Sequence, residues 1–382
     1  MNNFYKIIHT SSRTHWGNRE QRILCESLWM KKNGHQVVVI APGDSPLFKK
    51  AKKSGLMVYP MSFKTLAGIG EYGRLKEIFI GEQPFVVNAH GKGDAKLALK
   101  AAQATDVPCR IMSRHNGKRV KNSWSNKKIY KTRPHYIFTT SKESKTHLRQ
   151  TFSLSDMQIF SFPDGINMPD SDIYIDRSKR AAGRQTLSNT LGLGADTRFV
   201  GVFGTTAPQN KQLLGTLAEQ LDRHFPSHHI VVFGTPDAQG SLDEKRFSRV
   251  HMLKLTENNQ TCYQALDCCI YLPDYQNFYQ GVPFEATMAM ACFCPVIGPD
   301  APGIKEILID NKTGKVFNPK KPESLPTIIS WLLNTPPDLL TLIRTARARV
   351  EKYHTMDAVG RDILRIYRLR QIKLDRKFQM IS

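Results

Sequence analysis

Acidic residues are scarce in this chain. In 382 residues, 33 Asp and Glu stand against 55 Lys and Arg, for a formal net charge of +22. The deficit is uneven: residues 1–190 hold 32 basic and 14 acidic residues, residues 191–382 hold 23 and 19. A first half this basic excludes a cationic partner and points to an anionic one: lipid headgroups, a phosphorylated glycan or nucleic acid. No apolar run approaches about eighteen residues, which excludes a membrane-spanning helix. Low-complexity tracts and short-period repeats are missing too, so neither a solenoid nor an extended linker is expected. Cysteines number seven, and their spacing fits no metal site: Cys268 and Cys269 are adjacent, and Cys292 and Cys294 lie one residue apart. They are expected as small packing residues in and beside buried strands, with no metal and no cofactor. Residues 1–6 carry no basic, apolar and cleavage-site succession, so the chain is expected to stay in the cytosol.

What is present describes a globular protein, with 40% apolar and 23% charged residues. The length favours two domains. The first half alternates strand and helix. Phe4–His9, Gln36–Ala41, Phe85–Ala89, Cys109–Ser113, Tyr136–Thr140 and Gln158–Phe162 read as strands, several of them apolar without interruption, as buried parallel strands are. Helices fall at 19–32, 46–54, 94–104 and 141–149. Residues 169–196 are polar and read as a connection. A second cycle follows, with strands at Phe199–Phe203, Ile230–Phe233, Val250–Leu255, Cys268–Leu272 and Pro295–Gly298, and helix from Ser324 onward. The expected architecture is α/β, with two Rossmann-like doubly wound domains (1–168 and 197–350) facing a cleft, and a C-terminal amphipathic helical tail at 351–382.

Ligands of open parallel sheets sit beyond the carboxyl ends of the strands, and the loops there define the candidate residues. The loop Thr10–Asn18 brings Ser11, Ser12, Arg13, Trp16 and Gly17 to a helix start. That suits an anion; it equally suits a plain N-cap beside a packed Trp. His90-Gly91-Lys92-Gly93-Asp94 puts a histidine and two glycines at a strand end, where His90 can touch a reacting group. Arg114 and His115 repeat that placement after the next strand. In the second half, Gly204, Thr205 and Lys211 set a cation beside a loop suited to a diphosphate. Gly234–Pro236, Tyr275–Pro283 and Asp300–Lys305 complete the set.

The ordered set of motifs is similar to a known family. Ile8-His-Thr-Ser-Ser-Arg-Thr-His-Trp-Gly-Asn-Arg-Glu-Gln-Arg22 followed by Gly34-His35-Gln-Val-Val-Val resembles the opening of family 4 glycosyltransferases of GT-B fold. Pro163-Asp-Gly-Ile-Asn167 resembles the segment that ends their first domain. Met288-Ala-Met-Ala-Cys-Phe-Cys-Pro-Val-Ile297, Pro302-Gly-Ile-Lys-Glu306 and Thr313-Gly314 resemble their donor-site segment. The resemblance implies retaining, metal-independent transfer of a sugar from a nucleotide-sugar. It places Gly17 near diphosphate and acceptor, His90 against the transferring sugar, and Lys211 against the departing diphosphate. Gly204, Thr205, Gly234, Pro302, Gly303 and Ile304 would line the donor. The family's Glu-x7-Glu pair falls on Gln280 and Met288, with Glu285 as a substitute carboxylate on the same helix.

Asn116–Arg133 holds seven basic residues and no acidic one, with Trp124 and Tyr130 among them. Together with Arg13, Trp16, Arg114 and His115, the residues Lys118, Arg119, Trp124, Lys127 and Lys128 are expected to meet an anionic membrane surface and a lipid-linked or phosphorylated glycan acceptor on the cytoplasmic face of an inner membrane. Lipopolysaccharide or other surface-polysaccharide synthesis is the expected setting. Two rival readings stand beside it: a non-catalytic sugar-binding protein of the same fold, and a basic nucleic-acid-binding protein, for which no recognition motif appears.

Overall fold

The computed structural model describes residues 4–63, 68–115, 117–169, 177–204, 208–234, 248–254, 260–272 and 281–379. The chain divides into two compact units. The first is formed mainly by Met1–Gly165 and Thr355–Ser382, the second by Ile166–Phe278 and Val282–His354.

In the first unit the strands are β1 (Lys6–Thr10), β2 (Gln36–Ala41), β3 (Met57–Pro60), β4 (Val86–Ala89), β5 (Cys109–Arg114), β6 (Tyr136–Thr139) and β7 (Ile159–Ser161). Between them run the helices α1 (Asn18–Lys32), α2 (Pro46–Lys53), α3 (Gly68–Glu82), α4 (Lys92–Ala104), α5 (Trp124–Lys127) and α6 (Lys142–Phe152). The strands form one parallel sheet in the order β3-β2-β1-β4-β5-β6-β7. Alternate residues go to opposite cores. Ile7, Val37, Val39 and Val86 pack with α1 and α2, while Ile8, Val38, Ile40 and Val87 pack with α3 and α4. Burial on both faces is why these strands are apolar without a break.

The second unit adds α7 (Arg177–Leu191), β8 (Arg198–Gly204), α8 (Pro208–His224), β9 (His228–Gly234), β10 (Val250–Lys254), α9 (Gln260–Ala265), β11 (Leu266–Leu272), α10 (Phe284–Ala291), β12 (Val296–Pro299), β13 (Lys315–Phe317), α11 (Leu325–Leu333) and α12 (Leu339–Tyr353). Its parallel sheet runs β10-β9-β8-β11-β12-β13. Cys268 faces the core shared with α8 and α11, and Cys269 faces the core shared with α9 and α10. Period-two alternation thus separates the adjacent cysteines, and all seven cysteines are free.

Three features differ from the sequence-based expectation. The stretch assigned to a connection contains α7, a polar helix fixed by Leu187 in the core and by Arg180 and Arg184, both paired with Asp267. The segment 302–306, expected from its Gly and Pro as a turn opening a further helix, forms only a three-residue 3-10 turn, Ile304–Glu306. The C-terminal stretch is no appendage: helix α13 (Met356–Gln379) belongs to the first unit. Its Met356, Val359, Ile363, Leu364, Ile366 and Tyr367 join the core under α1, each such side chain contributing about 1.5–3 kcal/mol on burial. Trp29 donates its indole N–H to Asp357 at 2.6 Å, and Gly360 lets the Trp29 ring approach to where a Cβ would meet it at 2.4 Å.

Candidate functional site

In both sheets the chain reverses direction of growth at the centre, between β1 and β4 in the first unit and between β8 and β11 in the second. Such switch points open a crevice at the carboxyl ends.

At the first switch point, the loop after β1 is tied to the start of α4. Asp94, buried, accepts from Thr10 Oγ1 at 2.8 Å, from Ser12 Oγ at 3.3 Å and from the His90 backbone N–H at 2.9 Å. Burial raises its pKa against those bonds. Gly93 lies close against Ser12, since a Cβ there would lie 2.5 Å from Ser12 Oγ, and a Cβ at Gly91 would displace the Arg19 guanidinium. Arg19 donates to the His90 carbonyl at 3.1 Å and to Glu20 at 3.0 Å, and Arg13 reaches the same buried Glu20 at 3.4 Å. Asp94→Ala is expected to cost about 3 kcal/mol, because it leaves three donors unsatisfied in the interior; a urea-unfolding loss below about 1 kcal/mol would contradict this.

Three histidines converge here. His9 Nδ1 lies 2.8 Å from His90 Nε2, and His90 Nδ1 lies 2.8 Å from His115 Nε2. Both ring nitrogens of His90 are therefore engaged, and the residue is 1% exposed. Burial first, then the neighbouring histidines and arginines, hold all three imidazoles neutral. His9 is lowered to about 3, and His90 and His115 fall well below the usual range. Behind His9, Arg22 is buried between Glu26 at 3.8 Å and Asp164 at 2.9 Å, and donates to the Phe162 carbonyl at 2.8 Å. Gly17 precedes α1 in extended backbone, with no side chain capping that helix start. Trp16 packs at the core margin under Lys50, whose ammonium stands 4.8 Å from the ring centroid.

The basic segment lies farther along the same unit. Arg114 turns inward, donating to Tyr130 Oη at 2.9 Å and to the Lys118 carbonyl. Lys118, Arg119 and Lys127 are exposed. Trp124 is 73% exposed, with Lys128 Nζ 3.4 Å from its ring centroid.

The second switch point lies between β8 and β11, and several of the residues expected to line a donor lie on the elements around it. Gly204 ends β8 at φ +141°, and Gly234 ends β9. Lys211 lies in the first turns of α8. Glu285 and Met288 are half-buried on α10, three residues apart. Met288 packs on the apolar core. Burial, and then the Glu285 charge, push the Tyr263 hydroxyl well above its usual range. Gly303, at φ +84°, turns the chain into Ile304, which is buried, beside half-buried Pro302. Lys305 pairs with Asp300 at 2.7 Å. Thr205 and Gln280 lie outside the described residues. His9, Glu26 and Arg22 are absent from the sequence-based candidates. The available signal was a histidine inside an otherwise apolar strand.

The family model for Glycosyltransferase Family 4 matches residues 23–168, and that for Glycosyl transferases group 1 matches residues 197–335. The chain is a GT-B glycosyltransferase of the family 4 type. Solved structures agree on the fold. A glycosyltransferase from Rickettsia africae superposes with a TM-score of 0.78 at 16% identity, over 97% of this chain and 99% of that one. The Anabaena HepE protein in complex with UDP gives 0.75 at 14% identity, over 94% and 98%. The lipopolysaccharide outer core galactosyltransferase WaaB gives 0.64 at 12% identity, over 94% and 98%. No curated protein sequence matches the chain. Within this glycosyltransferase the two family models fall on separate sheets: the family 4 match takes in His90, His115 and the basic segment but begins after His9, and the group 1 match takes in the Gly204 edge.

Proposed function

We propose that this glycosyltransferase transfers a sugar, with retention and without a metal ion, from a nucleotide-sugar to a membrane-associated glycan or lipid acceptor. The observation that carries the reading is the carboxyl edge of the second sheet. Gly204 brings backbone close at the switch point, Gly303 at φ +84° opens a short 3-10 segment after β12, and position 211, a lysine, falls in the first turn of α8. That arrangement suits a diphosphate whose charge grows as the sugar departs. Related folds bind UDP and UDP-glucose, which makes a uridine donor the first to test. Gln280 offers an amide in place of a carboxylate, and Glu285 is the nearest carboxylate on α10.

The acceptor side rests on the exposed Trp124–Lys128 pair with Lys118, Arg119 and Lys127. An exposed aromatic ring among cations suits the headgroup layer of an anionic bilayer, each cation adding about 1 kcal/mol. Lipopolysaccharide or another surface polysaccharide is the proposed product class, and the cytoplasmic face of the inner membrane the proposed place.

A thermal-shift screen of UDP, GDP and ADP with their sugars tests the donor. At one hundred times Kd a ligand stabilises by about 2.7 kcal/mol, so one base is expected to raise the melting temperature while the others leave it. Donor hydrolysis or transfer in excess EDTA is expected to match the untreated rate. No response to any nucleotide would favour a sugar-binding protein without catalysis.

A further inference from the structure

The histidine cluster has two loose ends. His9 Nε2 and Glu26 Oε1 are both buried, face each other at 4.0 Å, and have no other partner among the described residues. At the other end, His115 Nδ1 is buried and equally without a partner among the described residues. Strand order explains the geometry: β1, β4 and β5 are neighbours, so residues 9, 90 and 115 line up across their carboxyl ends. Three neutral imidazoles in a row hold one N–H each, and the direction of every bond is fixed by its neighbour.

Two arrangements satisfy the row. With Glu26 protonated, its O–H donates to His9 Nε2, His9 Nδ1–H to His90 Nε2 and His90 Nδ1–H to His115 Nε2. His115 Nδ1 then carries a proton. With Glu26 ionised, His9 Nε2–H donates to the carboxylate, and each bond reverses. His115 Nδ1 then presents a lone pair. A shift of about 1 Å by the Glu26 carboxyl closes the gap to hydrogen-bond length, and it removes two orphaned buried atoms that each cost about 1–3 kcal/mol.

We propose that Glu26 sets the tautomers of a His9–His90–His115 relay, and that His115 Nδ1 is the atom at which the relay meets a bound sugar hydroxyl. His90 is then a positioning residue. Only the identity of the hydroxyl rests on the function proposed above. Burial raises Glu26 to about 7, against the pull of Arg22 and with the push of Asp164, so both arrangements are accessible near neutrality. The groups facing Glu26 and the relay are Arg19 and Arg22 on α1, Asp164 after β7, Tyr367 on α13, and Arg13 in the first loop.

The test is imidazole ¹⁵N spectroscopy of histidine-labelled protein, without ligand, from pH 5.5 to 8.5. Expected are three neutral rings that exchange tautomer together, with one common midpoint near 7, His115 carrying its proton on Nδ1 below it and on Nε2 above it. In Glu26→Gln the exchange should vanish, and in Glu26→Asp it should return with a displaced midpoint. Independent titration of the rings, an imidazolium at pH 6, or an unchanged exchange in Glu26→Gln would overturn the relay; the wild-type spectra decide this even where a variant does not fold. Added UDP-glucose is expected to move His115 Nδ1 more than any nitrogen of His9. Binding that leaves His115 unmoved overturns the contact, whereas no binding with the exchange intact counts against the donor assignment alone.

Discussion

Between pH 6.5 and 5 the His9–His90–His115 cluster and Glu26 together are expected to take about 4 kcal/mol from the stability of the first unit. An unfolded imidazole titrates near 6.5, whereas folded His9 stays neutral to about 3 and His90 and His115 stay neutral well below the usual range. Below pH 6.5 the unfolded chain therefore holds more protons at three sites, and stability falls as pH falls, by about 1.4 kcal/mol per pH unit for each. Glu26 acts with the opposite sign. Its folded pKa is raised to about 7, so its contribution is present at low pH and is lost as pH rises through 7. Three protons less one leaves about two, or roughly 2.7 kcal/mol per unit. Domains of this kind hold about 5–15 kcal/mol in total. Urea melts at half-unit steps measure the slope, and His9→Gln should remove about a third of the cluster's own histidine contribution. A stability flat to within about 1 kcal/mol over that window would rule out neutral burial of the cluster.

Gly204→Ala is expected to abolish folding of the second unit. A Cβ at Gly204 would lie 1.7 Å from the Leu272 carbonyl oxygen, and φ is +141°. Backbone cannot yield as a side chain does, so β8 and β11 would have to separate at the centre of the sheet. The loss should exceed about 4 kcal/mol, the range reserved for severe backbone or core lesions. Gly73→Ala is the control. It lies in α3 with nothing within 4 Å of the added methyl, and a helical Gly-to-Ala change gains about 0.5–1 kcal/mol. A soluble Gly204→Ala protein melting within about 1 kcal/mol of the parent would refute the close approach.

The strands of both sheets were legible where apolar runs were long, as in Gln36–Ala41 and Cys268–Leu272, because burial on two faces leaves no polar position. The fold followed from their alternation with helices. β3 and α3 were not legible: β3 is a four-residue edge strand ending in Pro60, and α3 carries four glycines that break its helical signal. β13 is only three residues long. At the candidate site, His90 and His115 were singled out because strand ends are where ligands of such sheets bind. His9 and Glu26 were not, since one sits within an apolar strand and the other on a helix. Only the order β2-β1-β4-β5 makes them neighbours, and no local pattern encodes strand order.

Helix α13 also bears on synthesis. Residues 1–165 leave the ribosome well before 356–379, and at about 5–20 residues per second the interval is roughly ten to forty seconds. Throughout it, the apolar face of α1 that α13 will cover, with Trp29 and Met30 upon it, has no mate. The nascent first unit is thus expected to expose that apolar face until α13 emerges, the kind of surface that favours aggregation in a folding intermediate.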